Sequence, residues 1–354
     1  MTLPLTPPVA PMLARLAREL PLDGFLYDPK WDGFRCLAFR DGDVVDLRSR
    51  NERPLARYFP EIVAALLELR ESRFVLDGEL VVAGRAGLDF AALLARLHPA
   101  ASRVERLSRE TPASFIAFDL LAVDDRDLSE RPFRERRGQL AELLRHSGPP
   151  LFLTPATDDP ERARAWLERF QGAGIDGVVA KHGELRYEPG RRAMVKVKRE
   201  RTVDCVVAGF RWFVDRPLPS SLLLGLYDRE EQLRHVGIAA AFAEQRRAEL
   251  LERLRPLVVP LAGHPWEHGF LLGGSPIARL RGAARRWAPD EREQDWTPVA
   301  PELVCEVAHD QLDDYRLRHP ARFRRWRPDR DPGSCRLTQL DAPPVDLGEL
   351  LPLR

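Results

Sequence analysis

Lysine is nearly absent from this chain. Of 354 residues, 55 are Lys or Arg, and only Lys30, Lys181, Lys196 and Lys198 are lysine. Where guanidinium is the default cation, a retained ammonium suggests work that guanidinium cannot do, such as attack by a neutral amine. A compositional remnant is the plainer alternative. Cysteine is scarce too. Cys36, Cys205, Cys305 and Cys335 stand far apart, with no Cys-x-x-Cys pair and no His/Cys cluster. No zinc site is therefore legible, and reduced, cytosolic thiols are expected. No apolar run approaches the roughly 18–20 residues that span a bilayer. The Pro-rich start, Met1 to Pro11, lacks the basic end and apolar core of a signal peptide. Neither an internal repeat nor a low-complexity segment is present.

What is there is a soluble, globular composition, 44% hydrophobic and 31% charged, with a net charge of only +1. Such a balance does not exclude a nucleic-acid partner, because clustering of the basic residues decides that. The length suggests two domains, each with its own core. After a short amphipathic lead-in around Leu13 to Leu20, strands and helices alternate up to Lys198. They include strands at Phe25–Tyr27, Arg35–Arg40, Val44–Arg48, Phe74–Val82, Ser114–Leu121, Ile175–Lys181 and Ala193–Lys198. Beyond Thr202 short strands follow at close spacing, at 204–213, 222–227, 233–236, 303–308 and 335–340. Helical stretches at Phe242–Leu254 and near Arg318–Arg324 interrupt them. That pattern suits a small five-stranded barrel. The expected division is 1–201 and 202–354.

The first half is organised around Asp28-Pro29-Lys30-Trp31-Asp32-Gly33-Phe34-Arg35. An amine attacks phosphorus only when neutral and held in line, so Lys30 as a nucleophile requires a lowered pKa. Asp32-Gly33 allows a sharp turn, and Arg35 can return to grip phosphate or ribose oxygens. An ordinary strand-edge lysine before a hairpin turn is the bland alternative. Other candidates support the first reading. Glu79, in Asp77-Gly78-Glu79, can hold a ribose hydroxyl or a metal-bound water. Asp176, between glycines, suits Mg²⁺ as a hard oxygen ligand. Lys196 and Lys198 share a strand face, so they can converge on one phosphate and also lower the pKa of Lys30. Phe118 can stack on a purine, or simply fill the core. The densest basic run, Arg318 to Arg330, interleaves aromatics with arginines and suits phosphate contacts. Reading Glu79 and Asp176 as a glycosidase acid pair would leave the lysines unexplained.

Taken in order, these stretches resemble the six or seven motifs of the covalent nucleotidyltransferase superfamily, which contains ATP-dependent DNA ligases, RNA ligases and mRNA-capping guanylyltransferases. Lys30 to Arg35 resembles motif I, Ser49-Arg50-Asn51 motif Ia and Asp77-Gly78-Glu79 motif III. Phe118-Asp119 resembles motif IIIa, Asp176 to Lys181 motif IV, Lys196-Val197-Lys198 motif V, and Arg327-Pro328-Asp329-Arg330 motif VI. The resemblance runs from about residue 25 to 340. Arg131-Pro132-Phe133, Leu222 to Tyr227 and Pro301-Glu302-Leu303-Val304 are most similar to bacterial ATP-dependent ligases of the C and D type. The length, with no fused polymerase or phosphoesterase, favours the C type.

The resemblance implies an α+β fold: an ATP-grasp-like adenylation domain with antiparallel sheets, then an OB-fold barrel carrying motif VI. It implies a three-step DNA ligase reaction through lysyl-AMP on Lys30 and a DNA-adenylate, sealing 3′-hydroxyl/5′-phosphate nicks. ATP and a divalent metal, Mg²⁺ or Mn²⁺, are implied with it. Asp28 would contact the adenine amino group, Arg35 ribose or phosphate, and Phe118 the base. Arg50 would hold the nick phosphate. Glu79 would bind ribose and help organise the metal held by Asp176. Lys196 and Lys198 would hold the α-phosphate. Arg327 would bind ATP, and Asp329 and Arg330 would orient the departing pyrophosphate when the barrel domain closes. Implied partners are nicked duplex DNA and a Ku-type end-binding protein or a repair polymerase, for a monomer working in the cytoplasm on the nucleoid. Two departures stand out: motif IV usually has Glu where Asp176 stands, and motif VI often ends in Lys where Arg330 stands. An RNA ligase, a GTP-using capping enzyme and a non-catalytic DNA-end scaffold are the rival readings.

Overall fold

The computed structural model describes residues 2–84, 87–170, 173–272, 275–277, 296–310, 312–313, 315–341, 345 and 347–351. The chain forms two compact units, Met1–Arg199 with Ala342–Arg354, and Glu200–Asp341.

The first unit is built on two sheets. Its strands are β1 (Ala14–Ala17), β2 (Phe25–Trp31), β3 (Phe34–Asp41), β4 (Val44–Ser49), β5 (Arg73–Gly84), β6 (Gly87–Leu88), β7 (Ala113–Val123), β8 (Arg126–Asp127), β9 (Leu151–Leu153), β10 (Ile175–His182) and β11 (Met194–Val197). One sheet runs β1-β11-β10-β2, and the other β4-β3-β5-β7-β8, with β6 on β5 and β9 on β7. Strand β7 is buried along its whole length, as its mostly apolar run dictates, with Ser114 and Asp119 the polar exceptions. Helices α1 (Pro60–Glu68), α2 (Phe90–Ala95), α3 (Ala101–Glu110), α4 (Phe133–Leu143) and α5 (Pro160–Arg169) accompany the sheets. Proline opens α1 and α5 where its missing N–H has no intrahelical partner to lose. In α4 the buried positions Phe133, Arg136, Leu140 and Leu143 fall on one face.

Arginine also serves the interior. Arg136 is fully buried and grips Asp119 with two bonds of 2.8 Å. It also donates to the carbonyls of Arg131 and Leu185. The planar fork satisfies all these acceptors at once, which one ammonium could not. Arg136→Met strands Asp119 as a buried, uncompensated charge. It is expected to destabilise the protein by roughly 3–5 kcal/mol. The Arg136→Met/Asp119→Leu double variant should recover part of that, as read from denaturant midpoints.

Strands β2 and β3 are separated only by Asp32-Gly33, yet they lie in different sheets. The turn expected there is therefore a crossing between sheets, not a hairpin. Glycine is required at 33 for space: a Cβ there would sit 2.0 Å from the Leu80 carbonyl oxygen. The amphipathic lead-in is strand β1, which adds in parallel to β11.

The second unit is a closed five-stranded barrel, β12 (Arg201–Trp212), β13 (Pro219–Tyr227), β14 (Leu233–Ala240), β20 (Ala321–Trp326) and β17 (Trp296–His309), in that order around the ring. Helix α6 (Glu244–Leu254) follows β14, and two hairpins, β15–β16 (Phe270–Leu272, Ser275–Ile277) and β18–β19 (Leu312–Asp313, Arg316–Leu317), complete the described strands. The barrel agrees with the OB-fold expectation, with two corrections. The stretch 335–340 is no strand; Leu337–Leu340 is a 3₁₀ turn. The fifth strand is β20, where a helix was expected near Arg318–Arg324. A register shift opposite Glu306/Val307 interrupts its alternation, so Arg324 and Arg325 both face out while Phe323 and Trp326 pack inward. That two-polar break mimics helical spacing.

The division 202–354 also needs correction. Leu347 and Leu351 are buried in the first unit, in a cluster with Leu20, Tyr27, Trp31 and Trp166. The apolar residues of the tail thus belong with that core.

Candidate active site

Strands β2, β10 and β11 are neighbours in one sheet, and that adjacency assembles the centre. The β10–β2 register shifts between Ile175 and Val178, so Asp176 and Gly177 form a bulge beside Lys30. A Cβ on Gly177 would lie 2.3 Å from the Val197 carbonyl oxygen, so only glycine lets β10 approach the end of β11. The bulge places Asp176 between two lysines: Lys30 Nζ is 2.7 Å from Oδ1, and Lys198 Nζ is 2.7 Å from Oδ2. Lys30 is 25% exposed, so its amine is open to a ligand.

The electrostatics correct one expectation. Burial pulls the Lys30 pKa down, but the charge and hydrogen bond of Asp176, with Glu79 and Asp32, outweigh it and hold the ammonium above the ordinary lysine range. Lys196 is the lysine whose pKa is lowered, by burial and then by Lys198 and Lys30. Burial also raises Asp176, yet Lys30 and Lys198 bring it below its ordinary value. Proximity of cations was the right ingredient, but a carboxylate in contact governs the sign at Lys30.

Lys30, Asp28, Arg35, Arg50, Glu79, Phe118 and Lys196 line one cleft, together with Lys181 and the N-terminal segment Pro11–Ala14. Asp176 and Lys198 reach it through Lys30. Asp28 is buried; Lys181 Nζ holds its Oδ2 at 2.5 Å, while Oδ1 has no hydrogen-bond partner among the described residues. Lys181, equally buried, lies 4.7 Å from the ring centres of both Phe118 and Phe133. Phe118 also carries the Arg35 guanidinium 4.4 Å from its centre. Arg35 itself forms a two-bond pair with Asp77, at 2.5 Å each.

Glu79, opposite Arg35 in the β3–β5 register, is pushed up to about 8 by burial, against the lowering pull of Arg35 and Lys30. Its folded pKa lies above its ordinary 4.5, so it favours the fold fully below that value and loses the contribution as pH rises through about 8. Relative to Glu79→Gln, the nucleotide-free wild type is expected to lose up to about 1.4 kcal/mol per pH unit between about pH 5 and pH 8. Denaturant midpoints of both proteins across that range check it.

In the second unit the arginines of 327–330 converge on Asp204. Arg327 bonds both its oxygens at 3.0 and 2.9 Å, and Arg330 approaches at 3.5 Å. Arg327 also binds Asp329 and holds that carboxyl down at about 2. Sequence reasoning assigned no role to Asp204, Asp77, Tyr187 or Lys181. Lys181, as one of four lysines and the end of the motif IV stretch, and Asp77, in the motif III stretch, carry a signal; Asp204 and Tyr187 carry none.

Residues 10–198 match the family model described as ATP dependent DNA ligase domain, and residues 215–330 that described as ATP dependent DNA ligase C terminal region. The chain is 49% identical over 346 residues to DNA ligase C2 of Mycolicibacterium smegmatis, covering 97% of each chain. It is 48% identical over 358 residues to DNA ligase C of Mycobacterium tuberculosis, covering 99% of each. Among solved structures, a Lig E DNA ligase matches with a TM-score of 0.52 at 17% identity, covering 90% of this chain and 99% of that one, a likeness of fold.

Proposed function

The chain belongs to the ATP-dependent DNA ligase family, and we propose that its cleft joins 5′-phosphate to 3′-hydroxyl at a nick, with Lys30 as the carrier of AMP. The observation that carries this is the Lys30–Asp176–Lys198 array beside a cleft lined by Lys30 and by Asp28, whose buried Oδ1 has no hydrogen-bond partner among the described residues.

In the first step the Lys30 amine, once freed of its proton, attacks the α-phosphorus of ATP; an N–P bond forms and pyrophosphate leaves. Lys196 and Lys198 hold the α-phosphate oxygens, and Lys196 has its pKa lowered by burial and then by the neighbouring lysines. Asp28 Oδ1 accepts from the adenine amino group, with Lys181 holding its partner oxygen. Guanine would set a carbonyl oxygen there instead, acceptor against acceptor, which favours ATP. Arg35 reaches ribose or phosphate. Arg327, Asp329 and Arg330 serve the departing pyrophosphate. In the second step a 5′-phosphate oxygen, held by Arg50, attacks the phosphorus of lysyl-AMP and frees the amine. In the third the 3′-hydroxyl attacks the 5′-phosphate, and AMP leaves.

Asp176 would hold the divalent cation, joined by Glu79 once its proton is lost. Among the described residues no three His, Cys, Asp or Glu side chains form a metal cluster. Two carboxylates suit Mg²⁺ or Mn²⁺, which completes its shell with phosphate oxygens and water. Such a cation would offset charge on the phosphates. Asp at 176 is long enough to reach both lysines at once.

The proposed setting is DNA repair on the nucleoid, as a monomer in the cytoplasm, beside a Ku-type end-binding protein or a repair polymerase. No described helix is long and apolar enough to cross a membrane. The test is incubation with α-labelled ATP or GTP, followed by nicked DNA or nicked RNA. Label from ATP and sealing of DNA are expected. Label from GTP would move the reading to capping, and sealing of RNA alone to RNA ligation.

A further inference from the structure

A second feature of the cleft is a closed ring of four groups, none adjacent in sequence. The Asp77 carboxylate, fully buried, accepts Arg35 Nε at Oδ1 and Arg35 Nη2 at Oδ2, both at 2.5 Å. The Tyr187 hydroxyl donates to the same Oδ2 at 2.7 Å. That hydroxyl accepts from the Met12 amide at 3.0 Å. The Met12 carbonyl in turn accepts from Arg35 Nη2 at 3.4 Å, which closes the ring. Tyr187 is 3% exposed and lies between β10 and β11, in a segment without regular structure. Two of the ring's members, Met12 and Arg35, line the cleft.

We propose that Tyr187 is a positioning residue for the nucleotide. The hydroxyl ties the N-terminal segment at Met12 to Asp77 on β5 and, through Asp77, to Arg35 on the neighbouring strand β3. With Nε and Nη2 bound to Asp77, Nη1 is the Arg35 nitrogen left without a partner among the described residues, and the ring fixes its orientation. Deleting the hydroxyl opens the ring at two bonds, one of them to a buried charge, where network members strengthen one another. Asp77, no longer anchored by the tyrosine, can then shift and carry Arg35 with it, and the Met12 wall loses one of its two bonds to the ring. Ground-state grip on ATP falls, while Lys30 and its array are untouched. This inference rests on the reading that Arg35 contacts the nucleotide.

Tyr187→Phe removes one atom and keeps the ring that packs in the core. Labelled-ATP kinetics of self-adenylylation should show the KM for ATP raised about tenfold, with the maximal rate within about twofold of wild type. Asp77→Asn, which keeps the shape and drops the charge, is a second variant expected to raise KM at least as far. A purely structural tyrosine would lower the melting temperature and the amount of active protein, not shift KM alone. The decisive comparison is made in an Arg35→Met background. There Tyr187→Phe should add less than about a twofold change, because its effect passes through Arg35. An unchanged KM in Tyr187→Phe overturns the proposal, as does a full tenfold effect that persists without Arg35. If Arg35→Met itself leaves KM unaltered, it is the nucleotide contact of Arg35 that fails, and the proposal falls with it.

Discussion

Lys30→Arg is expected to abolish formation of lysyl-AMP while leaving the protein folded. Arginine keeps a positive charge beside Asp176, so the electrostatic balance of the site is largely preserved. What is lost is the lone pair. A guanidinium is never neutral at working pH, so no nucleophile exists. Losing a covalent nucleophile lowers the rate by about 10⁴-fold or more. Label from α-labelled ATP should therefore vanish, and with it the sealing of nicks from ATP. Sealing of a nick supplied already carrying AMP on its 5′-phosphate should survive, because Lys30 then has no bond to make. The same folded protein thus reports both outcomes. Residual labelling near the wild-type level would remove Lys30 from its role, and loss of both activities would assign it a part in the final step as well.

Much of the candidate site is legible in the sequence because the residues that line its cleft include rare types. Lysine is so scarce that each retained one pointed to the cleft, and motif order supplied the rest. The sign of the Lys30 shift was not legible. It depends on a carboxylate at 2.7 Å that arrives from a different strand, and local sequence names the strand without its register. The crossing at Asp32-Gly33 was hidden for a similar reason. A two-residue Asp-Gly link looks like a hairpin until both flanking strands are seen to pair elsewhere. Strand β20 was misread because a bulge breaks its period of two. Arg35 and Asp77 stand in two of the motif stretches, but their closure into a ring through Tyr187 and Met12 is not legible in the sequence, since tertiary packing alone brings those two to them.

Asp176→Asn sets two opposing effects against each other, and their sizes decide the outcome. The carboxylate is the cause that raises Lys30 above the ordinary lysine range, so removing its charge lowers that pKa. A larger fraction of the amine is then neutral at a given pH. While Lys30 remains mostly protonated, each unit by which its pKa falls is worth about tenfold in neutral amine. Against this, the array loses the anion that holds Lys30 and Lys198 on either side of one point. Losing a preorganised charge at a phosphoryl centre lowers rates by about 10²–10³-fold. The carboxylate proposed to take the cation is gone as well. The second effect wins, and self-adenylylation at neutral pH is expected to fall about 10²-fold. The gain remains visible elsewhere, in the pH profile. In wild type the rate should climb with pH as Lys30 deprotonates, and in Asp176→Asn the climb should begin at lower pH. A higher concentration of Mg²⁺ or Mn²⁺ should be needed for half-maximal rate. A variant slowed without any displacement of its pH profile would mean that Asp176 does not control the protonation of Lys30 in the working enzyme. In that case the 2.7 Å contact would belong to the resting state alone.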